Sequence, residues 1–78
     1  MKIWNGGQTA YHGTVRFWNS SKGYGFIRPD HDGDDIFCHI NGTRLQQELS
    51  RGTRVRYYVL PDRLDPSKLM ASDTTVLT

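Results

Sequence analysis

Tyr24-Gly25-Phe26-Ile27-Arg28 and, beyond a polar loop from Pro29 to Gly33, Asp35-Ile36-Phe37-Cys38-His39-Ile40 carry the pattern on which the fold turns. Both stretches read as strands. Side chains alternate along a strand, so Tyr24 and Phe26 share one face and Gly25 and Ile27 the other. In the second stretch Phe37 and His39 share a face opposite Ile36 and Cys38. A closed barrel buries only one face. Either Ile27, Ile36 and Cys38 point inward and leave Tyr24, Phe26, Phe37 and His39 together outside, or the aromatics fill the interior and take His39 with them. Alternation leaves both arrangements open. The first forgoes burial of roughly 1.5–3 kcal/mol per ring, which a small domain would not keep for stability.

Outward from these strands the signals repeat. Thr14-Val15-Arg16-Phe17-Trp18 is β-rich, and Asn19 to Gly23 has turn chemistry. Arg54 to Leu60 reads as a fourth strand, Pro61 to Ser67 as a loop and Leu69 to Leu77 as a fifth strand. Leu45 and Leu49, four apart, predict one short helical turn between the third and fourth strands, with Thr43 and Gln46 at capping-box spacing. No stretch supports a helix of ten residues. Five short strands separated by turns predict an all-β, five-stranded antiparallel barrel. Residues 1–12, broken by Gly6-Gly7, read as an N-terminal extension, and 13–78 as the domain.

The chain has 78 residues, 36% of them hydrophobic. That is one domain with a thin core, which buries roughly 60–65% of its unfolded surface. A single cysteine excludes an intramolecular disulfide framework. No apolar run approaches the ~18 residues of a membrane span, and the first residues lack a signal-peptide core. The expectation is a soluble, cytoplasmic protein with no membrane association.

The net charge is only +2, but it is unevenly spread. Arg16, Lys22 and Arg28 fall in an acid-free stretch from Gly13 to Pro29. Arg51, Arg54 and Arg56 form a second basic run, and Asp30, Asp32, Asp34 and Asp35 form an acidic knot between them. Such segregation gives either a solvated surface of mixed sign or one basic face. Of the nine aromatic residues, five lie between Phe17 and Phe37. Rings beside cations suit single-stranded nucleic acid, whose bases stack on rings while its phosphates meet positive charge.

Other chemistry finds no support. A calcium loop begun at Asp30 would put Asp35 where glycine is needed and Asn41 where a glutamate closes the site. Cys38 and His39 are adjacent and face opposite sides, and no paired zinc ligands occur. Gly23 and Gly25 lack the third glycine and the following helix of a nucleotide-phosphate loop. Cys38 reads as an inert core residue. The expectation is no catalytic residues, no metal and no cofactor.

The run Gly13-Thr14-Val15-Arg16-Phe17-Trp18-Asn19-Ser20-Ser21-Lys22-Gly23-Tyr24-Gly25-Phe26-Ile27 resembles the opening of bacterial cold-shock proteins. Lys22 to Ile27 resembles their first ribonucleoprotein motif and Asp35 to Ile40 their second. Gly52, Val55, Tyr57 and Ala71 continue the likeness, which covers about residues 13–77. An RNA-recognition motif is excluded, because it carries its other motif on an earlier strand and needs two real helices. The resemblance implies an oligonucleotide-binding barrel (OB-fold) whose ligand is single-stranded RNA or DNA. It implies a stacking platform of Phe17, Trp18, Tyr24, Phe26, Phe37 and His39, with charge from Arg16 and Lys22. It also implies a bulge near Arg16 that turns Phe17 outward.

The implied role is that of an RNA chaperone or cold-shock-type regulator of transcription or translation. With three or four phosphate contacts, log K should fall with log salt at a slope of roughly −2 to −3. The sequence departs from the family pattern at Phe17-Trp18, whose order is reversed, at Ile40, where an aromatic is usual, and at Thr74, where a core valine is common. The loop from Asn41 to Arg51 is shorter and lacks an aromatic, so a shorter footprint or weaker binding is expected. The expected state is a monomer. The extension, with Trp4 and Tyr11, is either a loose tail or a segment that packs on the barrel, contacts nucleic acid or mediates homodimerisation. The alternative function is a protein-interaction or dimerisation module on the same fold. A carbohydrate or small-ligand binder is disfavoured by the basic flank.

Overall fold

The computed structural model of the chain describes residues 9–62 and 64–77. Trp4 therefore lies outside the described residues. Five strands form in chain order: β1 (Tyr11–Asn19), β2 (Tyr24–Pro29), β3 (Ile36–His39), β4 (Arg54–Pro61) and β5 (Leu69–Val76). They close into a barrel in the order β1-β2-β3-β5-β4. The β1–β2, β1–β4, β2–β3 and β4–β5 pairs are antiparallel. The closing pair, β3 beside β5, is parallel, with Phe37 opposite Met70. This one departure from antiparallel pairing follows from connectivity: the chain passes through β4 before returning to β3, and a crossover of that length allows parallel neighbours.

β1 begins at Tyr11, so it takes in Tyr11 and His12, which the sequence reading gave to the extension. Its first half pairs with β4 and most of its length with β2. The register slips between Val15 and Phe17, so the expected bulge is present at Arg16. There the Val15 N–H donates to the Thr53 carbonyl and the Gly52 N–H to the Val15 carbonyl, which carries β1 from one sheet partner to the other. The hairpin into β2 is shaped by Asn19. Its side-chain oxygen accepts the Lys22 N–H at 3.1 Å and its carbonyl accepts the Gly23 N–H at 2.8 Å.

The helical turn between the third and fourth strands is a single 3₁₀ turn at Ile40–Gly42. It falls immediately after β3, whereas Leu45 to Leu49 has no helix, and Gln46 sits at φ 50°. Thr43 explains the shift. Its hydroxyl donates to the Ile40 carbonyl at 2.7 Å and accepts the Gln47 N–H at 2.8 Å, which closes the first turn rather than starting a second.

The core holds Val15, Ile27, Cys38, Leu49, Val55, Tyr57 and Ala71, with Thr43 and Thr74 also buried. Ile36 packs against it while partly exposed. The inward set is thus the aliphatic one, and the outward-aromatic arrangement is the one adopted. Burial raises the Cys38 thiol pKa and, as the leading cause, that of the Tyr57 phenol. Both groups stay protonated at neutral pH. Among the described residues no helix is long and apolar enough to cross a membrane.

Candidate nucleic-acid interface

The outward face of β1, β2 and β3 carries a continuous set of rings. Pairing puts Phe17 opposite Phe26, Phe26 opposite Phe37, and Tyr24 opposite His39. Cross-strand neighbours on one face approach closely, so register alone assembles the cluster. Tyr24 and Phe37 stack at 5.8 Å between ring centres and 27° between planes. Phe26 meets Phe37 at 5.9 Å and Tyr24 at 6.2 Å, edge to face. Phe17 lies 6.1 Å from Tyr24 and 6.5 Å from Phe26. Phe17 is 44% and Phe26 36% exposed, so flat apolar surface faces solvent. His39 borders the rings with its Nδ1 accepting the Asn41 N–H at 3.1 Å. The neutral ring therefore carries its proton on Nε2.

Trp18 is not brought into this cluster. The bulge sends both Arg16 and Phe17 outward, and alternation then returns Trp18 to the inward side, opposite Gly25. It packs against the core while partly exposed, and its indole N–H has no partner among the described residues. Gly25 makes room for it: a Cβ there would stand 2.7 Å from the Trp18 ring and collide with the Phe17 carbonyl. The reversal of Phe17 and Trp18 thus puts the smaller ring on the outer face and the larger against the core.

The cations differ in their freedom. Arg16 donates to Asp35 at 2.9 Å, an exposed pair that links the bulge to the approach to β3. Such pairs are worth about 0–1 kcal/mol and exchange readily for another anion. Lys22, in the β1–β2 turn, and Arg28 have no carboxylate within 4.0 Å among the described residues. Arg28 continues the outward row of Tyr24 and Phe26. It was visible in the sequence as the next alternate position of that row, yet it was not among the expected site residues.

Further residues at this face come from β4 and β5. Met70 sits beside Phe37, and Leu60 beside Met70. They extend the row of rings into an apolar margin. An open groove of about 550 Å³ lies there, walled by Phe37, His39, Leu60, Leu64 and Met70. A second, of about 610 Å³, lies between Phe26, Phe37, Asp35 and Lys68. No period in the sequence announces these neighbours, because the β3–β5 contact joins distant segments.

A closed five-stranded barrel in this order, with rings displayed on β1 to β3, has the architecture of an oligonucleotide-binding barrel. A structure titled "drosophila Unr CSD456" superposes with a TM-score of 0.74, covering 92% of this chain and 28% of that one. Their identity is 22%, so the likeness concerns the fold. The family described as the 'Cold-shock' DNA-binding domain matches residues 11–74, and the chain belongs to that family.

Among relatives, the probable cold shock protein y4cH of Sinorhizobium fredii is 40% identical over 53 residues, 65% of this chain and 77% of that one. Cold shock protein CspV of Vibrio cholerae is 33% identical over 60 residues, 74% of this chain and 86% of its own. Protein lin-28 of Caenorhabditis briggsae is 41% identical over 51 residues, 63% of this chain and 22% of that one. The chain thus spans about a fifth of lin-28 and most of each bacterial protein. The family is one of nucleic-acid-binding domains rather than enzymes.

Proposed function

We propose that this domain binds single-stranded RNA or DNA by stacking bases on Phe17, Tyr24, Phe26 and Phe37, with His39 at the margin and Arg16, Lys22 and Arg28 meeting phosphates. The observation that carries this reading is the exposed four-ring cluster on adjoining strands beside those cations. Each stacked base contributes about 1–3 kcal/mol with little dependence on sequence. Bases held on protein rings are withheld from pairing, so binding shifts RNA toward open states without nucleotide hydrolysis. That is the physical basis of an RNA-chaperone role. Trp18 supports the platform from behind by fixing the backbone at Phe17.

Fluorescence anisotropy with a labelled oligothymidine or oligouridine and a duplex of equal length tests this. Saturable binding to the single strand, weakened by salt and far weaker with duplex, is expected. Phe37→Ala should lose about 1–3 kcal/mol, or roughly 5- to 150-fold in affinity. Absence of single-strand binding by the folded protein would refute it.

One observation favours a second reading, a protein-docking or self-association surface. Leu60, Leu64 and Leu69 are exposed at the margin of the rings, Leu64 to 96%. Sedimentation with and without the single strand separates the two. Self-association that persists in high salt and excludes the oligonucleotide would favour docking.

A further inference from the structure

The outer face of β1, away from the rings, is surrounded by arginines, of which the platform uses only Arg28. Thr14 stands opposite Arg28 on β2 and opposite Arg54 on β4. His12, on the same outward row as Thr14, stands opposite Arg56. Arg51 sits in the turn whose Gly52 N–H is bonded to Val15, so it lies alongside the bulge that carries Arg16. Two strands and the turn before β4 therefore deliver Arg28, Arg51, Arg54 and Arg56 to one side of the barrel. Arg28 and Arg54 are about 10 Å apart by two strand spacings.

Acids offset this charge only in part. Asp30 takes Arg54 in a two-pronged pair, 2.6 Å at each prong, while Arg54 also donates to Thr14 at 3.0 Å. The partner lowers the Asp30 pKa, so the carboxylate is ionised at neutral pH. Among the described residues Arg28, Arg51 and Arg56 have no carboxylate within 4.0 Å. The Nε of Arg56 is covered and has no partner among the described residues, so its outer guanidinium nitrogens are the ones that offer hydrogens to a ligand. The four platform rings do not extend onto this row, whose own rings are the His12 imidazole and, next outward on β4, Tyr58, so charge dominates it. It joins the platform at Arg28, two residues along β2 from Phe26 and thus about 7 Å away.

We propose that this arginine face is a backbone track. A single strand whose bases leave the rings at Phe26 continues past Arg28 across β1 to Arg51 and Arg56, held chiefly by its phosphates. The inference rests on the platform reading and extends its footprint. The short Asn41–Arg51 loop without an aromatic gives no stacking surface on the other side, so the added length is electrostatic and indifferent to base.

The test compares two oligothymidines by anisotropy across a salt series, one of roughly 6 and one of roughly 14 nucleotides, short and long against site sizes of ~4–16 per barrel. The wild-type protein should bind the long strand with the steeper salt dependence. In Arg51→Gln/Arg56→Gln the long-strand slope should flatten by about 1.4, or about 0.7 for each lost phosphate contact on single strands, while short-strand affinity stays within twofold. Arg56→Lys, which keeps the charge, should restore one contact. Thermal melts confirm that the variants are folded.

Equal losses on both strands, or none on the long one, would overturn the track while leaving the platform intact. Equal loss on a duplex of the long length would mark general attraction of polyanions and overturn it too. If the wild-type protein binds neither strand, the platform reading falls and the track with it. Phe37→Ala separates the readings further, because it should weaken the short strand without changing the number of phosphates released.

Discussion

Thr43 and Thr74 are both buried, yet replacing each with valine should move stability in opposite directions. The exposures are 4% and 2%, so water reaches neither hydroxyl. Among the described residues the Thr74 hydroxyl is met only by the Cys38 thiol, a weak donor at 3.7 Å. Thr74→Val exchanges a poorly satisfied polar group for a methyl of nearly the same volume. Burying the methyl gains about 0.8 kcal/mol. Relief of the hydroxyl's desolvation adds about 1 kcal/mol, less the small worth of the thiol bond. A net gain of about 1–2 kcal/mol should raise Tm by roughly 4–16 °C in a domain of this size.

Thr43 is fully employed, donating to the Ile40 carbonyl and accepting the Gln47 N–H. Thr43→Val loses both bonds, at about 1 kcal/mol each, and regains about 0.8 kcal/mol from the methyl, a net loss of about 1 kcal/mol. Urea unfolding followed by circular dichroism should show the midpoint rising in one variant and falling in the other with unchanged slope. A lowered midpoint for Thr74→Val, or a raised one for Thr43→Val, would refute the reasoning from partner count.

Other expectations follow from the same geometry. Phe17→Ala should weaken single-strand binding with a modest effect on folding. Trp18→Ala should cost about 2 kcal/mol of stability, since its partly buried ring backs Phe17 and Gly25; a Trp18 variant that lost binding at unchanged Tm would contradict its inward position. The Asp30 carboxyl is held below its ordinary value chiefly by its bond to Arg54. A depressed pKa contributes stability above the unfolded value and loses it as pH falls through the folded one. Asp30→Asn should therefore flatten the decline of the urea midpoint below about pH 4, and an unchanged acid limb would count against the pair. Burial raises the Cys38 thiol pKa, so a thiol-reactive dye should label it only at the rate of unfolding. Labelling of the folded protein at the rate of a free thiol would contradict its place in the core.

Much of the fold and the ring face was legible because strands keep a period of two. Tyr24, Phe26, Phe37 and His39 stand outside, and Ile27 and Cys38 inside, as one of the two arrangements required. What was not legible has physical reasons. The bulge at Arg16 resets the phase of β1, so Trp18, read by resemblance as a platform ring, turns toward the core. Gly13 looked like a boundary, yet it lies within β1, where β2 runs too close for a side chain. A Cβ would stand 2.5 Å from the Arg28 carbonyl. The spacing of Leu45 and Leu49 suggested a helical turn, but the Thr43 hydroxyl closed the chain one step earlier. Met70 and Leu60 reach the rings through long-range pairing that no local pattern encodes. The link between Arg16 and Asp35 is of the same kind.

The central claim is that a single strand lies on the outward rings of β1 to β3. The most direct measurement is a titration of the labelled protein with a short oligothymidine, followed by NMR of the aromatic side chains. The account predicts that the ring signals of Phe17, Tyr24, Phe26 and Phe37 shift together and saturate, while the buried Tyr57 ring scarcely moves. Ring signals that stay still while binding saturates, or shifts confined to the opposite side of the barrel, would contradict it.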